Sequence, residues 1–192
     1  MSQIVVKKER VVPASPETVY ALLADYRVER PKLLTPNFLD YTVEQGGKGS
    51  GTVVSYRLRS ANRERLYRMH IDEPVKGEVL AERDSNSSLV TTWTLFPVRG
   101  GALTRVRITT EWQGHGGVGG FFEKTFAPLG LRSIYGKMLD ALVQQIPGAS
   151  AYDIVQGEGK GYNTGSNLSS LFLVVSLILA SIFGIRYLFK KH

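Results

Sequence analysis

Apolar and polar positions along this chain change period twice. A valine-rich run at residues 4–12 reads as a first strand, halted by Pro13. The segment VPASPETVYALLADY (12–26) then switches to helical spacing, with Val19, Leu22, Leu23 and Tyr26 on one face. Ser15 is placed to cap this helix, Pro16 takes the favoured first helical position and Glu17 puts negative charge in the first turn. A second, short helical turn is expected at 30–36, between two prolines. From Phe38 to Trp112 the period becomes two. Six strands are expected, at 38–45, 52–59, 63–73, 78–83, 89–97 and 102–112, parted by turn-formers such as GGKGSG (46–51). Links this short join antiparallel neighbours.

The helical period returns after a glycine-rich stretch, GHGGVGG (114–120). A long helix is expected at 121–146, with Phe122, Phe126, Leu129, Ile134, Met138, Leu142 and Val143 on its buried stripe. Pro128 and Gly130 should kink it, and Pro147 and Gly148 should end it. Residues 148–167, rich in Gly, Ser and Asn, read as a flexible linker. Residues 168–185, LSSLFLVVSLILASIFGI, carry no charge. As a helix they would run about 27 Å, close to the roughly 30 Å hydrocarbon thickness of a bilayer.

Tyr162 and Tyr187 flank this run, and Arg186 can snorkel so that the span extends to 189, leaving 190–192 as a basic tail. The expectation is a separate, single-pass C-terminal transmembrane helix. Two signals conflict over its direction. Arg186, Lys190 and Lys191 favour a cytoplasmic tail, whereas MSQIVVKKER shows no signal peptide. The second consideration is given more weight, and the domain is expected to face the cytoplasm.

Composition narrows the chemistry. With no cysteine in 192 residues, disulfides, thiolate metal sites and cysteine nucleophiles are excluded. The net charge is +7, three of it from the tail, so the rest is mildly basic. That suits an anionic membrane surface and is weak support for nucleic acid, which is not expected as a partner. HExxH, GxSxG and metal-ligand clusters are absent, and GHGGVGG lacks the lysine-serine/threonine ending of a phosphate loop. Neither a metal nor a cofactor is expected.

The alternation is clearest in LTRVRITTEW (103–112), where Val106, Ile108, Thr110 and Trp112 point one way and Arg105, Arg107, Thr109 and Glu111 the other. The matching inner faces are Val54, Tyr56 and Leu58, then Tyr67, Met69 and Ile71, then Trp93 with Leu95. With Phe122 and Phe126 they are the expected lining of an apolar, aromatic interior. Such a surface, taken together, suits a small-molecule pocket, whereas for each residue singly core packing is the more common role. His115, Gly116 and Gly117 are expected in a gate loop, with the glycines supplying turn geometry.

VPASPETVYALLADY and FFEKTFAPLGLRSIYGKMLDAL, in this order of elements, resemble the START-like helix-grip superfamily, also labelled polyketide cyclase/dehydrase or SRPBCC. The resemblance covers roughly 3–147. It implies an α+β domain at 1–147, a curved antiparallel sheet of about seven strands around the long C-terminal helix. It also implies a cavity for lipids, sterols, polyketides, quinones or plant hormones.

Catalytic groups are sparse. Of three histidines, His192 is terminal, His70 faces outward by parity and His115 has no supporting partner in the sequence. No catalytic residue is assigned; an enzyme would draw on Tyr56, Tyr67 or Arg132. Arg57, Arg59, Arg63, Arg65 and Arg68 crowd one hairpin, as a solvated outer face or as a patch for anionic headgroups. The expected function is a membrane-tethered binding module holding a hydrophobic small molecule or lipid. The alternatives are a cyclase/dehydrase acting on a polyketide-like carbonyl compound, or an envelope or stress interaction protein.

Overall fold

The computed structural model describes residues 2–60, 63–114 and 117–149. The elements run β1 (Ser2–Val12), α1 (Pro16–Ala24), a 3₁₀ turn (Arg30–Leu33), β2 (Phe38–Gln45), β3 (Val53–Ser60), β4 (Arg63–Val75), β5 (Val79–Asp84), β6 (Val90–Val98), β7 (Leu103–Gly114) and α2 (Gly117–Gln144). The seven strands form one antiparallel sheet in the order β1-β7-β6-β5-β4-β3-β2. Consecutive strands from β2 to β7 are neighbours, as their short turns require. β1 pairs with β7 instead, so α1 and the 3₁₀ turn carry the chain from one edge of the sheet to the other.

Local chemistry accounts for the ends of α1. The Ser15 side chain accepts from the Thr18 amide, and Pro16 begins the helix. Beyond the helix Asp25 takes over: its carboxylate accepts from the amides of Arg27 (3.1 Å) and Val28 (2.9 Å). The following turn is thereby fixed.

The long helix begins earlier than its apolar pattern suggests. Gly117–Gly120 form its first turn, so Gly117 belongs to α2 rather than to a loop, while His115 and Gly116 lie outside the described residues. Leu129 is 59% exposed, not on the buried stripe. At about 100° per residue it stands some 140° from Ile134. The buried face runs instead through Ile134, Tyr135, Met138, Leu139, Leu142 and Val143. This face packs on β1, β7 and β3, and the Arg10–Asp140 ion pair ties its outer edge to β1.

Ile4, Val6 and Val12 from β1, Leu80 from β5, Leu95 from β6 and Val106 and Ile108 from β7 complete a continuous core with Val19 and Leu23 of α1. The linker beyond Ala149, the span at 168–189 and the basic tail lie outside the described residues. Among the described residues no helix is long and apolar enough to cross a membrane.

Candidate functional site

Between the inner face of β3–β6, the 3₁₀ turn and α2 lies a concavity lined mainly by rings. It contains about 580 Å³ of empty space, open solvent at its mouth included, of which about 40 Å³ admits the centre of a water-sized sphere. Tyr56 is the hub of the wall. Its ring meets Phe38 edge-on at 5.0 Å, Tyr67 at 5.7 Å and Tyr41, nearly parallel, at 6.4 Å. Strand register explains the grouping, because Tyr56 and Tyr67 are direct cross-strand partners and Phe38 lies opposite Leu58. Leu34, Leu89, Leu131 and Met138 close the apolar part.

A charged pair sits inside this apolar wall. Arg30 and Glu82 form an ion pair with side chains only 3% and 10% exposed. Glu82 Oε1 also accepts from the Tyr26 hydroxyl at 2.9 Å, and Arg30 Nη1 reaches the Leu23 carbonyl at 3.5 Å. The guanidinium lies 3.9 Å over the Trp93 ring and 5.3 Å from the centre of Tyr26. Burial works against the charge on Arg30. Glu82, followed by the phenols of Tyr26, Tyr41 and Tyr56, outweighs it, so the guanidinium stays charged.

Both partners are placed by backbone geometry. Arg30 opens the 3₁₀ turn, whose entry is fastened to the glycine-rich β2–β3 loop. The Tyr26 amide donates to the Gly47 carbonyl at 2.9 Å, and Arg27 donates twice to the Gly46 carbonyl. Gly47 has φ +134°, and a Cβ there would lie 2.4 Å from the Arg27 side chain, so the fit requires glycine. Glu82 shares the inner face of β5 with buried Leu80 and pairs with Ile71 and Thr91 across the neighbouring strands.

A second polar group lies on the helix side. The Tyr135 hydroxyl bonds Thr110, which bonds Thr91 at 2.8 Å. Burial pushes the Tyr135 phenol up to about 12 despite those two hydroxyls, and it raises Tyr26 and Tyr56 well above their ordinary value, with Glu82 adding to both shifts. All three phenols are therefore neutral hydrogen-bonding groups at neutral pH.

Of the residues expected inside, Val54, Tyr56, Leu58, Tyr67 and Trp93 line the cavity. Met69, Ile71, Leu95, Val106, Ile108 and Trp112 are buried in the packed core, and Thr110 is buried behind Tyr135. The side chains of Phe122 and Phe126 lie outside the described residues. Arg132 is exposed on α2. His70 is exposed on the outer face, with Nε2 3.0 Å from Arg68. Among the described residues no three acidic or histidine side chains are grouped to hold a metal.

Four of the five arginines that crowd the β3–β4 hairpin have carboxylate partners, and the side chain of the fifth, Arg63, lies outside the described residues. Arg57 meets Asp40 and Glu64, Arg59 meets Glu64, Arg68 meets Glu44 and Arg65 meets Asp84. Such pairing weakens any positive field they would present to anionic headgroups.

The family model described as polyketide cyclase/dehydrase and lipid transport matches residues 3–147. Among solved structures, the chain is similar to the KanY protein, known from a solution structure, at 41% identity and a TM-score of 0.66, covering 75% of this chain and 97% of that one. It shares its fold with the Zhui aromatase/cyclase from Streptomyces sp. R1128, at 16% identity and TM-score 0.60, over 75% of this chain and 93% of that one. A START superfamily protein from Mycobacterium smegmatis has the same fold, at 17% identity and TM-score 0.58, over 73% and 97%. A search of curated proteins gives no match.

Proposed function

From the premise that the chain belongs to the polyketide cyclase/dehydrase and lipid transport family, we propose that it is a membrane-tethered binding module for a hydrophobic small molecule or lipid. The observation that carries this reading is the ring-lined concavity: Phe38, Tyr41, Tyr56 and Tyr67 gather on one wall around a buried, self-neutralised Arg30–Glu82 pair. An apolar lining with a few fixed polar groups is what a binding site for a hydrophobic molecule requires. The tether is the uncharged run at 168–185, and a flexible 148–167 linker would reach roughly 25 Å. A mouth carried this close to a bilayer can sample compounds dissolved in it.

A second reading, a cyclase/dehydrase, draws on the same Arg30–Glu82 pair, since a fixed cation and carboxylate can polarise a carbonyl and move a proton. Against it, Glu82 Oε1 is already engaged by both Arg30 and Tyr26. The test is native mass spectrometry with solvent extraction of the full chain purified from membranes. A stoichiometric apolar compound recovered unchanged after incubation supports carriage. Recovery of a dehydrated or ring-closed product supports the enzyme, and an empty protein counts against both. Protease protection in sealed vesicles tests the proposed tether and the cytoplasm-facing domain.

A further inference from the structure

The seven-stranded sheet ends in two edges, β1 and β2, and each turns alternate amides and carbonyls away from its single neighbour. β2 is a poor template for another strand. Asp40 takes φ 54° within it, and its register against β3 slips between Leu39 and Thr42 and again between Val43 and Gln45. β1 carries no such guard. It keeps one register along β7 from Ser2 to Val12, without proline, glycine or a positive φ. Val5 and Val11 stand on its outer face, 48% and 38% exposed. The sheet itself gives them only charged cross-strand neighbours, Glu111 and Arg105.

The order of side chains on that face is its own complement. Two copies related by a two-fold axis perpendicular to the sheet would pair antiparallel, outer face continuous with outer face. With Lys8 on the axis, Val5 lies opposite Val11 of the second copy and Lys7 opposite Glu9 of the second copy, each pair occurring twice. An axis at Lys7 sets that lysine against itself and Val5 against Glu9. An axis at Glu9 sets two carboxylates together and Lys7 against Val11. Of these registers only the one centred on Lys8 joins apolar to apolar and opposite charge to opposite charge.

Lys8, on the inner face, meets its own twin in this register, and like charges directly opposite oppose pairing. Its Cε lies 3.7 Å from where a Cβ on Gly136 would be, so the side chain is laid against α2, where the bare glycine gives it room. We propose that β1 is a self-association edge, on which two copies of this chain join antiparallel about Lys8 into one sheet of twice seven strands. Pairing of residues 4–12 makes a contact about 30 Å long and a single strand wide, in the size class of transient interfaces.

The absence of cysteine makes the register directly readable. Full-length chains carrying Val5→Cys, Val11→Cys or Lys8→Cys can be oxidised with copper phenanthroline in detergent micelles and the dimer measured on non-reducing gels. Positions 5 and 11 of one strand are about 20 Å apart, too far for a disulfide within a chain. The expected result is a dimer in Lys8→Cys alone. An equal mixture of Val5→Cys and Val11→Cys should give about fivefold more dimer than either by itself. Lys7→Glu and Glu9→Lys should each weaken association about tenfold in sedimentation, because both cross-strand pairs become like-charged. Mixing the two charge variants should restore it. Monomer in every variant overturns the proposal and makes Lys7 and Lys8 the guards of this edge. Equal cross-linking in Val5→Cys alone and in the mixture, or association unmoved by the charge variants, overturns it too and places the contact elsewhere.

Discussion

On the outer face of the sheet, Arg57 bridges Asp40 and Glu64, with the first two side chains 46% and 67% exposed. On the inner face, Arg30 meets Glu82 with side chains 3% and 10% exposed, roofed by Trp93. The same two functional groups meet in both places, and only the surroundings differ. Outside, water and salt already solvate each charge, so pairing changes little and the arginines chiefly keep the face soluble. Inside, both charges have been stripped of water, and each depends on the other. An ion pair of the second kind is poor evidence for stability and better evidence for a site.

The largest effect should come from separating the inner pair. Glu82→Leu leaves Arg30 buried without its partner and should cost about 3–5 kcal/mol in urea denaturation. The double change Arg30→Met with Glu82→Leu should recover most of that loss, because two well-packed apolar groups need no solvation. A single substitution costing no more than an average surface change would mean that water reaches the pair.

Alkaline titration gives a middle-sized effect confined to the interior. The Tyr135 phenol ionises near 10.0 when unfolded and at about 12 when folded. Below pH 10 both states keep the proton and the contribution is constant. Above it the unfolded chain releases its proton first, so stability falls from pH 10 towards 12, by about 1–3 kcal/mol for this group. Tyr26 and Tyr56, raised in the same direction, steepen the fall. Denaturation midpoints at pH 9, 10 and 11 measure it, and Tyr135→Phe should flatten the slope. A slope unchanged in that variant would place the phenol in water.

The smallest effect belongs to the outer face. Arg57→Ala should leave the denaturation midpoint unchanged within error, at low salt and in 0.5 M NaCl alike. A clear salt-sensitive loss there would erase the contrast between the faces.

How much of this was legible in the sequence differs by element. β2 has the expected ends, Phe38–Gln45, and the other strands differ by one to two residues at most of their ends, because a period of two and glycine-rich turns mark them directly. The start of α2 was missed, since helical glycines at 117–120 look like a loop to a propensity argument. Five of the expected lining residues reached the cavity wall. Their deeper strand-mates Met69, Ile71 and Leu95 went into the core, because alternation tells which face a residue is on and not how far from the helix it lies. The Arg30–Glu82 pair went unseen. Glu82 shares parity with Leu80, and following that alternation would have turned it inward, but a charged strand residue reads by default as solvated. Arg30 lies in an irregular turn without any period to follow.

The sequence by itself determined the order of elements, the inner faces of the best-patterned strands and the family, because these follow from local periodicity and from motifs a few residues long. It also set out the uncharged run at 168–185 as an expectation. The tertiary structure alone brought together Arg30 and Glu82, 52 residues apart, and surrounded them with Tyr26, Tyr56 and Trp93. It also left the Trp93 indole without a partner among the described residues. Desolvation and hydrogen-bond satisfaction belong to the space between elements, and no single segment of the chain encodes that space.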